Sequence, residues 1–137
     1  MNRFHVNLAV EDVQQSIRFY SHLLGAEPTV VKDDYAKWLL DDPQLNFSIT
    51  LAKENHGIRH LGLQVASRED LSELRTRLAN SKGKTFHEGE TTCCYAQSDK
   101  SWIVDPEGVE WEAFYTHGES DTFYEEQAKT ACCTTGN

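Results

Sequence analysis

Residues 4–10 alternate along an extended chain, with Val6, Leu8 and Val10 on one side and His5, Asn7 and Ala9 on the other. The alternation returns at 58–65, where Leu61, Leu63 and Val65 oppose His60, Gly62 and Gln64. In both stretches a histidine comes early, on the side away from the aliphatic row. The two histidines stand 60 − 5 = 55 positions apart, so the pattern points to an internal repeat.

The segments downstream of the two stretches match as well. After the first, Asp12 is a candidate N-cap, and Val13, Ile17, Tyr20 and Leu24 form one apolar stripe on a helix that Gly25 stops. Short strands are predicted at 29–32, 36–40 and 46–52, separated by Asp33-Asp34 and Asp41-Asp42-Pro43. A polar connector, 53–57, leads into the second stretch. Ser67-Arg68-Glu69-Asp70 then resembles a capping box, Leu71, Leu74 and Leu78 make a second stripe, and 80–83 end that helix. Further strands are predicted at 85–88, at 95–104 taken with its hairpin partner, and at 109–115. Asp105-Pro106-Glu107-Gly108 reads as a tight turn. The chain therefore reads βαβββ twice: an α+β fold in one domain, 1–116, with modules of about 1–54 and 55–116. Residues 117–137 form a polar tail.

The repeat also selects residues. Aligning the last strands of the modules lays 46–50 over 110–114, so that Ser48 matches Glu112. If helices cover the aliphatic faces, the opposite faces line a common concavity in which His5, His60 and Glu112 converge. Glu110 is the alternative carboxylate on that face. Serine at the fourth position is a poor ligand, which leaves coordination sites open. Two imidazoles and one carboxylate with open positions suit non-haem Fe(II) better than structural zinc.

Composition narrows the function classes. The net charge of −9 over 137 residues offers no basic stripe for nucleic acid. No apolar run is long enough to span a membrane, and the patterned first strand leaves no room for an export signal, so a cytoplasmic protein is expected. The four cysteines fall as two adjacent pairs, Cys93-Cys94 and Cys132-Cys133. Neighbouring cysteines bridge each other poorly, and a reducing compartment keeps them as thiols. Two soft thiolates side by side suit a thiophilic ion or metalloid; two small, partly buried side chains are the plainer alternative. Cys93-Cys94 is expected in a loop between Glu90 and the next strand.

The repeated βαβββ layout, the two strand histidines, Asp105-Pro106-Glu107-Gly108 and the Glu112 strand resemble the vicinal oxygen chelate superfamily across residues 1–116. That superfamily includes glyoxalase I, bleomycin-resistance proteins and extradiol dioxygenases. Thr92-Cys93-Cys94-Tyr95-Ala96 and the Cys-Cys tail are more closely similar to its carbon–arsenic lyases and their cadmium-induced relatives. The resemblance implies an open, cup-like mixed β barrel with helices outside. It implies metal ligands at His5, His60 and Glu112, holding Fe(II), with Ni, Co or Zn as substitutes. It further implies that Cys93 and Cys94 bind trivalent arsenic on a segment that moves to admit substrate. The activity implied is O2-dependent cleavage of the carbon–arsenic bond of a trivalent organoarsenical, with release of arsenite. The rivals are a protein that sequesters metal, metalloid or drug without chemistry, and another metalloenzyme such as a ring-cleaving dioxygenase.

The remaining aromatic and imidazole side chains fit plainer roles. His22, His56, His87 and His117 are expected at the solvated surface, and Trp38, Trp102 and Trp111 in the core. Asn7, Gln64 and Phe114 are expected to line the cavity. Nothing in the chain fixes an oligomeric state.

Overall fold

The computed structural model describes residues 1–81, 83–93 and 96–119. In chain order the elements are β1 (Arg3–Val10), α1 (Val13–Leu24), β2 (Val30–Lys32), β3 (Tyr35–Asp41), β4 (Gln44–Leu51), β5 (Gly57–Gln64), α2 (Arg68–Asn80), β6 (Lys84–Cys93), β7 (Ala96–Val104) and β8 (Glu110–Glu119). This is the expected α+β arrangement of two βαβββ modules. All the strands join one mixed sheet in the order β2-β3-β4-β1-β5-β8-β7-β6, open at β2 and β6.

Each helix begins and ends where its local chemistry dictates. The Asp12 side chain accepts a hydrogen bond from the Gln15 N–H, satisfying one donor that the first turn of α1 leaves unpaired. Gly25 closes α1 in the left-handed region, φ 66°, where a side chain would be strained. Ser67 caps α2 by accepting from the Asp70 N–H. The turn at 105–108 is pinned by the Asp105 carboxylate, which accepts from the N–H groups of Glu107 and Val109.

The helices cover the aliphatic faces. Val13, Ile17, Tyr20 and Leu24 of α1 pack with Val6, Leu8, Val10, Trp38, Phe47 and Ile49. In the second module Leu71 and Leu74 of α2 pack with Val65 and Ala113. Leu71 is 1% exposed, and burying such a side chain stabilises the fold by about 2 kcal/mol relative to leaving it in water. Covering these faces leaves the alternate positions of every central strand to the other side of the sheet.

Register makes the repeat concrete. β1 runs parallel to β4 with His5 opposite Asn46 and Asn7 opposite Ser48. β5 runs parallel to β8 with Gly62 opposite Glu112. Laying His60 on His5 puts Gly62 on Asn7, and therefore Glu112 on Ser48. The modules meet along the antiparallel β1–β5 pair, where His5 faces Gly62 and Asn7 faces His60.

Two strands run past their sequence-based limits. β6 continues through Cys93, so Cys93 is a strand residue and not part of a loop. β8 continues through Glu119, four positions beyond the strand end expected at 115. Both extensions are carried by pairing with β7, which holds Cys93 opposite Ala96 and Ala96 opposite Glu119. Cys94, Tyr95, Cys132 and Cys133 lie outside the described residues, as does the rest of the tail beyond Glu119. No helix among the described residues is long and apolar enough to cross a membrane.

Candidate metal centre

His5, His60 and Glu112 come together on the face away from the helices, with one ligand atom of each within 4.8 Å of the others. All three are buried, at 6%, 2% and 2% exposure. Three strands supply them: β1, β5 and β8, which are neighbours at the centre of the sheet. Glu112 rather than Glu110 is the carboxylate beside the histidines.

The His5 ring is oriented from behind. Its Nδ1 lies 3.0 Å from the main-chain oxygen of Asn46, an acceptor only, so Nδ1 carries the hydrogen and Nε2 presents a bare lone pair. Asn46 Oδ1 also lies 3.1 Å from that nitrogen, and its Nδ2 donates to Gln64 Oε1. The bare Nε2 of His5 sits 3.0 Å from Nε2 of His60. Two lone pairs repel at that separation unless one nitrogen carries a hydrogen or a cation lies between them. Atoms about 2.1 Å from a shared cation, at roughly right angles to each other, are about 3.0 Å apart, so the two rings fit a divalent metal. Glu112 Oε1 lies 3.5 Å from His5 Nε2 and 3.8 Å from His60 Nε2, in reach of the same position.

Glu112 is held by a buried lysine that sequence reasoning missed. Lys100 Nζ donates to Glu112 Oε2 at 2.9 Å, leaving Oε1 toward the imidazoles. Lys100 is 3% exposed. Around the rings, Trp102 meets His60 edge-on at 5.0 Å and Phe114 meets His5 at 5.2 Å. Trp102 is therefore buried in the wall of the site, where the sequence suggested only core. Trp38 is core, fully buried under α1. Trp111 is half-buried on the helix side. His22, His56 and His117 are exposed as expected. Asn7 is buried and donates to Ser48 Oγ at 2.8 Å and Thr50 Oγ1 at 3.1 Å. The fourth pseudo-symmetric position thus carries a hydroxyl already engaged with an amide.

The charge states favour ligation. Burial pushes the His60 pKa from its ordinary 6.5 down to about 3, against the pull of Glu112, and burial lowers His5 as well. Burial would raise Glu112, but the Lys100 charge, helped by the histidines, outweighs it and brings the carboxyl from 4.5 to about 2. At neutral pH the site therefore holds two neutral imidazoles and one carboxylate, the state a divalent cation needs. All of these shifts are depressions, so the stability they carry is present above the ordinary values and lost as pH falls. The metal-free protein is expected to lose melting temperature from about pH 6.5 downward, through His60 toward about 3 and through Glu112 from 4.5 toward about 2. Thermal melts across that range should show the upper part of the slope flattened in His60→Gln; an unchanged slope would mean that burial does not hold the ring neutral.

A cavity of about 780 Å³ lies between α2 and the sheet, lined by Leu63, Leu74, Leu78, Ile103 and Trp111 among others. Neither His5 nor His60 lines it, although Glu112 does, between Trp111 and Ala113. Cys93 is joined to the site only by register. Thr91 is paired with Ser98 and Cys93 with Ala96. Trp102 is opposite Glu112. From Trp102 to Ala96 is 102 − 96 = 6 positions, about 20 Å of strand.

The model of the glyoxalase/bleomycin resistance protein/dioxygenase superfamily matches residues 3–113. The chain belongs to this superfamily. A trivalent organoarsenical cleaving enzyme of Bacillus sp. strain MD1 is 50% identical over 119 residues, covering 85% of this chain and 74% of that protein. The cadmium-induced protein CadI of Mycobacterium tuberculosis strain H37Rv is 36% identical, covering 90% of this chain and 82% of that protein. The crystal structure of the Mn(II)-bound glyoxalase from Novosphingobium aromaticivorans shares the superfamily fold, with a TM-score of 0.62 at 20% identity over 89% of this chain and 43% of that one. That glyoxalase is Mn(II)-bound, and His5, His60 and Glu112 form a donor set that could hold a metal ion here.

Proposed function

We propose that this chain cleaves the carbon–arsenic bond of trivalent organoarsenicals and releases arsenite, using Fe(II) at His5, His60 and Glu112 together with dioxygen. The observation that carries the proposal is the buried His-His-Glu group in a chain half identical to an enzyme named for that cleavage. Iron(II) held there would supply the activation of dioxygen.

The chain's own residues divide the remaining work. Asn46 keeps the His5 lone pair pointed inward, and Lys100 leaves one Glu112 oxygen for the cation. Trp102 and Phe114 exclude water from the rings. Ser48, bonded to Asn7, adds no strong ligand, so a cation held there would keep room for oxygen. Cys93 and Cys94 would hold arsenic as a dithiolate, each As–S bond replacing an As–OH with loss of water. The 20 Å of strand between that end of the hairpin and Glu112 requires the hairpin end to bend toward the metal once loaded. The bulges between His87 and Gly89, and between Gln97 and Ser98, interrupt the ladder on either side of β7, where such bending costs least. A cytoplasmic location fits substrates that must meet reduced thiols.

An anaerobic Fe(II) titration, with oxygen and a trivalent methylarsenical then added, tests the proposal. Arsenite release that needs iron, oxygen and both thiols is the expected result. Tight binding of the arsenical without release would leave a sequestering protein instead. Oxidation of a catechol in its place would indicate a ring-cleaving dioxygenase.

A further inference from the structure

The two histidines of the site are supported unequally. His5 Nδ1 has the Asn46 main-chain oxygen at 3.0 Å and Asn46 Oδ1 at 3.1 Å. His60 Nδ1 is buried and has no hydrogen-bond partner among the described residues. A buried ring nitrogen left unpaired, as donor or as acceptor, costs about 1–3 kcal/mol, so a candidate ligand histidine in this condition calls for an explanation.

The repeat identifies the missing partner. Asn46 faces His5 across the parallel β1–β4 pair. Laying Glu112 on Ser48 lays Glu110, two positions earlier on the same face of β8, on Asn46. Glu110 is half-buried, and among the described residues its carboxylate makes no hydrogen bond or ion pair. The β5–β8 ladder begins at Leu61 opposite Trp111, one step short of bringing His60 opposite Glu110. The cause lies on β5: its register against β1 jumps from His60 to Ile58, leaving Arg59 as the extra residue of a bulge. A bulge at that point re-aims the neighbouring side chain and lifts the strand end away from β8. The β1–β4 ladder of module one runs without such a break, and its histidine is anchored.

We propose that Glu110 is a positioning residue for the second histidine: with a divalent cation at His60 Nε2, the Nδ1–H donates to the Glu110 carboxylate, as that of His5 donates to Asn46. This rests on the metal reading of the site. Ligation fixes the hydrogen on Nδ1, and a carboxylate is the stronger acceptor for it.

Titration with Co(II) and Zn(II) under anaerobic conditions tests this without any turnover. Glu110→Ala should lower metal affinity by about 10- to 100-fold, and Glu110→Gln, which keeps an acceptor, should recover part of the loss. In the Zn(II)-loaded protein, NMR should show a slowly exchanging His60 Nδ1 hydrogen that Glu110→Ala loses. Melting of the metal-free variants reports whether the fold is intact. Equal affinity in Glu110→Ala and the parent, or equal loss in the Ala and Gln variants, would overturn the role of Glu110 while leaving the metal site standing. Failure of the parent to bind either cation would remove the metal reading and this inference together.

Discussion

Gly62→Ala is expected to cost the protein both stability and its metal site. A Cβ at Gly62 would lie 2.6 Å from the Glu112 main-chain oxygen, 3.1 Å from Glu112 Cβ and 3.2 Å from His5 Cδ2. The first of these is backbone in a paired strand and cannot swing aside. Overpacking of this kind costs about 1–3 kcal/mol, and here the displacement passes straight into two of the three residues of the candidate metal group. A shift of a few tenths of an ångström between β5 and β8 spreads Glu112 Oε1 from the imidazoles, so metal affinity falls along with melting temperature. The counterpart of Gly62 in the repeat, Asn7, has a side chain but faces the small Ser48; Gly62 faces Glu112. Size has been exchanged across the pair. Because the clash is with the main-chain oxygen and Cβ of residue 112 and with His5, Glu112→Ser in the Gly62→Ala background relieves none of it and should restore neither melting temperature nor metal binding. Thermal melts and Co(II) titrations of both variants decide this, and parent-like affinity in Gly62→Ala would show that the strands have room to spare.

That exchange of volume shows what the sequence can and cannot disclose. Period-two alternation located β1 and β5, and the repeat then brought His5, His60 and Glu112 to one face, because register is set by which side is apolar. Ser48 was legible in the same way. Lys100 was not. It sits among Gln97, Ser98, Asp99 and Ser101, a polar run that reads equally well as a solvated edge, and only the fold reveals that its amine meets Glu112. Trp102 looked like core because an aromatic on a strand reports burial but not which side of the sheet it fills. The far ends of β6 and β8 were missed for a related reason. Thr91, Thr92 and Cys93 carry no alternation, and their strand conformation is imposed by pairing with β7. Asn46, which settles the tautomer of His5, could have been found by asking which residue the repeat sets beside each histidine.

The capture of arsenic and its cleavage are expected to separate cleanly by mutation. Glu112→Ala removes the carboxylate of the candidate metal group and leaves Lys100 beside two imidazoles, a cationic neighbour that repels a divalent ion. Arsenite release should fall at least about 1,000-fold, equivalent to roughly 4 kcal/mol of lost barrier reduction. Arsenical binding should persist, since position 93 lies about 20 Å of strand away from the Glu112 register position. The Cys93→Ser/Cys94→Ser protein should behave oppositely: Co(II) binds as in the parent, while a trivalent methylarsenical is no longer retained through gel filtration. Both changes abolish product, so turnover alone cannot tell them apart; equilibrium binding of metal and of arsenical, measured separately, can. Loss of arsenical binding in Glu112→Ala would mean that the metal itself helps to hold the substrate. Loss of metal in the thiol variant would mean that the hairpin sulfurs reach the cation. Either result would contradict a division of labour in which the end of the hairpin collects arsenic and the centre of the sheet, where β1, β5 and β8 meet, breaks its bond to carbon.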